Sequence, residues 1–195
     1  MSDVVKTIEL DNGKKVEFYP SDSNSRDWDN LTKIICFHGS YNLGDKNDYN
    51  QNDYDSWSEL KKAIIKNEDV AIIKPLYLYD HSGITISTEP FSCGWDSGQV
   101  GFVIVTKKAI RENWSIKNVT QKYRTHAEKI LDGEIETYDK ELCGDVYGFV
   151  TYDKNGDLVD SCGGFYGDNF EENGMLEHIA DEEIVEHLKK EKNIF

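Results

Sequence analysis

Proline is scarce, at three residues in 195, so little in the chain forbids long regular elements. Cysteine is sparse too: Cys36, Cys93, Cys143 and Cys162 stand far apart and form no C-x-x-C pair. That spacing excludes the dense cysteine framework of a small secreted scaffold and predicts free thiols in a reducing cytoplasm. No apolar run approaches the roughly 18 residues that a membrane span needs, and Met1-Ser2-Asp3-Val4 lacks the basic-then-apolar order of a signal peptide. Neither G-x-x-x-x-G-K-[ST] nor G-x-G-x-x-G occurs, which leaves no cradle for nucleotide phosphates.

Positive charge is the scarcest commodity. Lys and Arg number 22 against 37 Asp and Glu, for a net charge of −15 and a pI near 4.7. A chain of this balance repels nucleic acid and anionic membranes and attracts basic surfaces. The imbalance is uneven. Residues 101–130 hold seven bases and two acids, whereas residues 131–195 hold five bases and 18 acids. Most of the net charge, −13 of −15, lies in the last third.

What is present reads as one α+β domain over residues 1–195, a mostly antiparallel sheet with one long and two shorter helices packed against it. Lys6–Leu10 and Lys15–Tyr19 alternate around Asp11-Asn12-Gly13, a hairpin signal. Strands are expected at Lys33–Phe37, Val70–Tyr79, Ile84–Thr88 and Gln99–Thr106, with a second hairpin, Val146–Tyr152 and Leu158–Ser161, around Lys154-Asn155-Gly156. Ser56-Trp57-Ser58-Glu59 has the form of a capping box and predicts a helix to about Asn67. Apolar steps of three and four predict a long helix from about Ile116 to Leu142, with Gly133 inside it. An acidic helical segment, from about Met175 to Lys190 within residues 170–195, closes the chain. Gly98-Gln99-Val100-Gly101-Phe102-Val103 is echoed by Gly144-Asp145-Val146-Tyr147-Gly148-Phe149-Val150.

Three constellations bear on chemistry. The first is acidic. Asp132, Glu136 and Asp139 follow helical steps, Glu134 and Glu141 extend them, and Glu171, Glu172, Glu177, Asp181, Glu182, Glu183 and Glu186 form a second set. Neighbours at that spacing stand about 5–6 Å apart on one helix face. Two residues of helix rise give roughly 3 Å, near the phosphate spacing of about 3.4 Å per strand along the duplex axis, so that the carboxylates can approximate a phosphate ladder. The competing reading is a solvated face. The second is the Asp48–Glu59 loop, where Asp48, Asn50, Asn52 and Glu59 fall at calcium-loop positions. Asp53 stands where such a loop wants Gly, and an Asn/Asp-rich loop capping a helix explains the same residues. The third is Trp95-Asp96-Ser97-Gly98, which with His38 and His81 suggests a small hydrolase in which His81, Asp96, Ser97 and Cys162 would converge. No catalytic residue is assigned from it.

Tyr41-Asn42-Leu43-Gly44-Asp45, Tyr79-Asp80-His81-Ser82-Gly83, Trp95-Asp96-Ser97-Gly98-Gln99-Val100-Gly101 and Asp160–Gly167 together resemble a family of acidic proteins carried by tailed phages and integrated elements. The resemblance covers most of residues 34–167. Relatives often carry Arg where this chain has Gly39-Ser40, and Trp in place of Gly163. It implies a counter-defence role in the host-cell cytoplasm: an anti-CRISPR or anti-restriction inhibitor, with a Cas9-type effector as favoured target. The partner would be a positively charged nucleic-acid-binding protein, a Cas effector or a restriction enzyme. Direct nucleic-acid binding and membrane binding are not expected. Tyr and Trp side chains of the 41–57 loop would serve as apolar anchors. The resemblance gives Tyr41, Asn42, Asp45, Asp80, His81, Trp95, Asp96, Ser97 and Gln99 no defined role. The alternative is a calcium-responsive binding module; otherwise no cofactor is expected.

Overall fold

The computed structural model describes residues 3–195. The fold is α+β. Among the described residues there are eight strands in two antiparallel sheets, and four helices. The chain divides into two compact units, residues 25–139 and residues 1–24 with 140–195. Charge divides with them. The first unit holds 14 bases and 18 acids, net −4; the second holds eight bases and 19 acids, net −11.

In the 25–139 unit the sheet order is β3 (Lys33–Cys36), β6 (Ser97–Thr106), β4 (Val70–Asp80), β5 (Ile84–Ser87). The strand β6 reads as a nearly unbroken apolar run, and Val100 to Val105 are all buried, as a strand covered on both faces requires. Phe102 and Ile104 face helix α1 (Trp57–Asn67), whose Leu60 and Ile64 join them and Ile35 in one core. The Ser56 hydroxyl accepts the Glu59 N–H and starts that helix. Trp57 packs on Phe37 and Phe102, and Tyr49 and Tyr54 also lie against this core. Only Tyr41 among the aromatics of the 41–57 loop is largely exposed.

Two differences from the sequence reading in this unit concern helices. A short helix, α2 (Lys107–Asn113), follows β6 directly, capped by the Thr106 hydroxyl. Ser115 then takes a left-handed backbone (φ 51), which ends it, and the long helix α3 begins only at Gln121 and runs to Leu142. Ile116 and Val119 keep the apolar period but lie in the connection. Gly133 sits inside continuous helix. Ala127, Leu131, Ile135 and Tyr138 form the buried stripe of α3.

In the other unit the order is β1 (Lys6–Glu9), β2 (Lys15–Pro20), β7 (Val146–Tyr152), β8 (Leu158–Tyr166). Val16, Phe18, Phe149 and Phe165 pack with Met175, Ile184 and Leu188. The expected 175–190 helix is broken. Met175–Glu177 makes a single tight turn after Gly174 (φ 74), and Asp181 restarts the chain as N-cap of α4 (Glu182–Glu191), accepting the Glu183 and Ile184 N–H groups.

The sequence echo marks two tight strand pairings. A Cβ on Gly101 would stand 2.0 Å from the Ile35 carbonyl oxygen, and one on Gly148 would stand 3.0 Å from the Cys162 carbonyl oxygen. In each Gly-Phe-Val, the glycine admits the neighbouring strand and the Phe enters a core.

Candidate acidic docking cleft

Burying the Leu131–Ile135–Tyr138 stripe of α3 fixes where its carboxylates go. Asp132, Glu136 and Asp139, one position further along each turn, fall on one flank of the helix. There, with Glu89 and Lys74, they line a cleft of about 390 Å³ beside the end of β5. Four carboxylates share it with one ammonium. Lys74 lies 2.7 Å from Asp132 and 3.5 Å from Glu128. Burial opposes its charge, but the hydrogen bonds and charges of Asp132 and Glu128 together outweigh it and hold the Lys74 pKa above its ordinary value. Asp139 accepts the Ile86 N–H at 2.7 Å, which fixes the helix to β5. Counted over its lining residues, the cleft carries four carboxylates to one ammonium.

The other predicted acids serve differently. Glu134 is drawn into the fold: it accepts the Leu31 N–H (2.8 Å), the Thr32 N–H (3.0 Å) and the Thr32 hydroxyl. Glu141 belongs to the other unit, as does the whole 171–186 set. There Asp181 and Glu183 share Lys14 at 2.7 and 2.8 Å, and Glu186 pairs with Lys189 at 2.6 Å. Glu171, Glu172, Glu177 and Glu182 are exposed and form no ion pair among the described residues. Of the predicted acids, the cleft brings together Asp132, Glu136 and Asp139.

The residues of the family resemblance fall into separate places. Asp45 clamps Arg26 with two hydrogen bonds, 2.6 and 3.0 Å, and accepts the Ile34 N–H at 2.6 Å. Tyr41 and Asn42 line a different pocket. The Asp80 N–H donates to the Asp96 carbonyl at 2.8 Å, and the His81 Nδ1 lies 3.3 Å from the Asp96 carboxylate. Tyr79 stacks against His81 and Phe91. The Ser97 hydroxyl donates to the Cys93 carbonyl and so closes its own loop, Gln99 donates to the Gly101 carbonyl at 3.1 Å, and Cys162 lies in the other unit. Trp95, at the tip of this loop, is 98% exposed.

In the Asp48–Glu59 loop two of the four candidate oxygen donors, Asn50 and Glu59, accept backbone N–H groups. Asn50 Oδ1 accepts the Asn52 N–H, and the Glu59 carboxylate accepts the Asp55 N–H at 2.8 Å. Among the described residues no group of three His, Cys, Asp or Glu side chains is placed to hold a metal ion. No helix among them is long and apolar enough to cross a membrane.

Sequence reasoning missed Glu89 and Lys74 because each is a lone charge, one in the connection after β5 and one in β4, with no period to mark it. Trp95 was singled out with the segment Trp95–Gly101, but nothing in the sequence told its exposure. No protein-family model, curated protein or solved structure matches the chain.

Proposed function

We propose that this protein is a phage-type counter-defence inhibitor that docks its acidic cleft onto a positively charged nucleic-acid-binding protein, a Cas-type effector or a restriction enzyme, and competes for cations meant for phosphate. The observation that carries the reading is the gathering of Glu89, Asp132, Glu136 and Asp139 around one cleft that holds a single lysine. An Arg or Lys side chain entering there meets charge-assisted acceptors already held in place by Ile86 and Lys74. Glu89 and Trp95 lie on the same connection, residues 88–96, so an exposed aromatic accompanies the charge, as in binding hot spots. The net charge of −15 supplies long-range attraction to a cationic channel and discourages binding to nucleic acid itself. The choice of a defence nuclease rests on the resemblance over residues 34–167.

The test is a DNA-cleavage assay with a Cas9-type effector and with a restriction enzyme, titrated with the purified protein. Cleavage by at least one should fall as the protein is added, and recover as salt rises from about 50 to about 300 mM, because exposed charges are screened. Cleavage unchanged for both contradicts the nuclease target.

A further inference from the structure

A second pocket in the 25–139 unit has the opposite chemistry. It opens where β3 leaves the sheet, has a volume of about 360 Å³, and is walled by Cys36–Gly39, Tyr41–Leu43 and Asn50–Asn52. None of its ten lining residues is Asp, Glu, Lys or Arg, although 30% of the chain is charged. No charged side chain of the lining is there to pair with a phosphate, a carboxylate or an amine, so the lining favours an uncharged ligand.

What lines it is amide and aromatic. The side-chain amides of Asn42, Gln51 and Asn52 make no hydrogen bond to other described residues, and Asn50 spends its Oδ1 on the Asn52 N–H while its Nδ2 stays available. Each free amide offers a donor beside an acceptor in one plane, the pattern that reads the edge of a base. The His38 ring is held: its Nδ1 accepts the Ser40 and Tyr41 N–H groups at 3.2 and 3.3 Å. The Tyr41 ring stacks on it, centroids 5.0 Å apart at 26°, and presents a flat wall of the kind on which bases stack. Burial pushes the Cys36 thiol up to about 11, so that residue carries no charge at neutral pH. The volume lies within the range of small-molecule sites.

We infer that this pocket binds a nucleobase, free or as an uncharged nucleoside, stacked on the Tyr41–His38 pair and read by the amides of Asn42, Gln51 and Asn52. The absence of a lining cation and the net charge of −15 set the selectivity: a nucleoside is preferred to its own 5′-monophosphate.

The test is calorimetric titration of the full chain with adenosine, guanosine, cytidine and uridine, each with its 5′-monophosphate, and with glucose as an uncharged polyol. At least one nucleoside should bind saturably at one site, and its monophosphate should bind more weakly by about tenfold or more. N42A and N52A should each weaken that nucleoside by about tenfold, with an unchanged melting temperature. The cleft variant E89K/E136K should bind it as the parent does, which separates this site from the proposed docking function. No binding by any nucleoside, a monophosphate that binds as tightly as its nucleoside, or glucose binding that N42A abolishes would each overturn the proposal.

Discussion

The Glu134 carboxylate holds Thr32 twice, through its backbone N–H at 3.0 Å and through its hydroxyl, and takes the Leu31 N–H at 2.8 Å beside them. An acid on the charged face of a long helix thus acts as a pin for the segment that enters β3. The distinction between carboxylates that hold the fold and carboxylates that face outward decides which substitutions test function and which only unfold the protein.

For Glu134 the expectation is structural. Glu134→Ala leaves two part-buried N–H groups and a hydroxyl without their acceptor, and should cost about 1–3 kcal/mol. Urea unfolding measures it. A midpoint equal to the parent's would show that Glu134 is a surface charge after all.

Gly101→Ala tests the strand pairing. Its Cβ would lie 2.0 Å from the Ile35 carbonyl oxygen, backbone against backbone, so β3 and β6 must separate. Overpacking of this kind costs about 1–3 kcal/mol or more. Gly98→Ala, where a Cβ meets nothing within 4 Å, is the control and should unfold near the parent's midpoint.

The Lys14–Asp181 pair should give pH-dependent stability at both extremes. Burial alone would raise the Asp181 pKa, but Lys14 and the Ile184 and Glu183 N–H groups outweigh it and hold Asp181 below its ordinary 3.8. A depressed folded value means a contribution present above pH 3.8 and lost as pH falls through that depressed value. Lys14 is raised above 10.5, first by its hydrogen bonds to Asp181 and Glu183, so its contribution is full below that pH and lost as pH rises through the raised value. Asp181→Asn keeps a good N-cap and removes the charge. The gap in melting temperature between parent and D181N should be level from about pH 5 to about pH 9 and close as the pH drops below about 4. A gap that widens in acid contradicts the assignment.

Trp95 should matter to a partner and not to the fold. At 98% exposed, its removal in W95A should change stability by less than about 0.5 kcal/mol. Affinity for an oligoarginine peptide should fall, because the indole offers the guanidinium groups a cation–π face. Unchanged affinity would remove Trp95 from the docking surface.

The strands were legible in the sequence because alternation around Asp11-Asn12-Gly13 and Lys154-Asn155-Gly156 leaves little choice of register. The limits of α3 and α4 were not. Ile116 and Val119 keep the helical period, but period does not reveal that Ser115 adopts a left-handed backbone, and the apolar steps from Met175 do not reveal that Asp181 caps a fresh start. The cleft was half legible. Asp132, Glu136 and Asp139 announce one flank by their spacing, whereas Glu89 and Lys74 reach it only through the pairing of β4 with β5 and the approach of α3. Spacing alone also could not separate Glu134, one position round the helix, which the fold consumes.

The most direct measurement compares two variants of equal charge for binding of an oligoarginine peptide, by calorimetry at low salt. E89K/E136K reverses two carboxylates of the cleft; E171K/E177K reverses two exposed ones in the other unit. Docking through the cleft predicts that the first loses about tenfold or more in affinity while the second stays within about threefold of the parent. Equal losses in both would mean that net charge alone attracts the peptide and that the cleft is not a docking site.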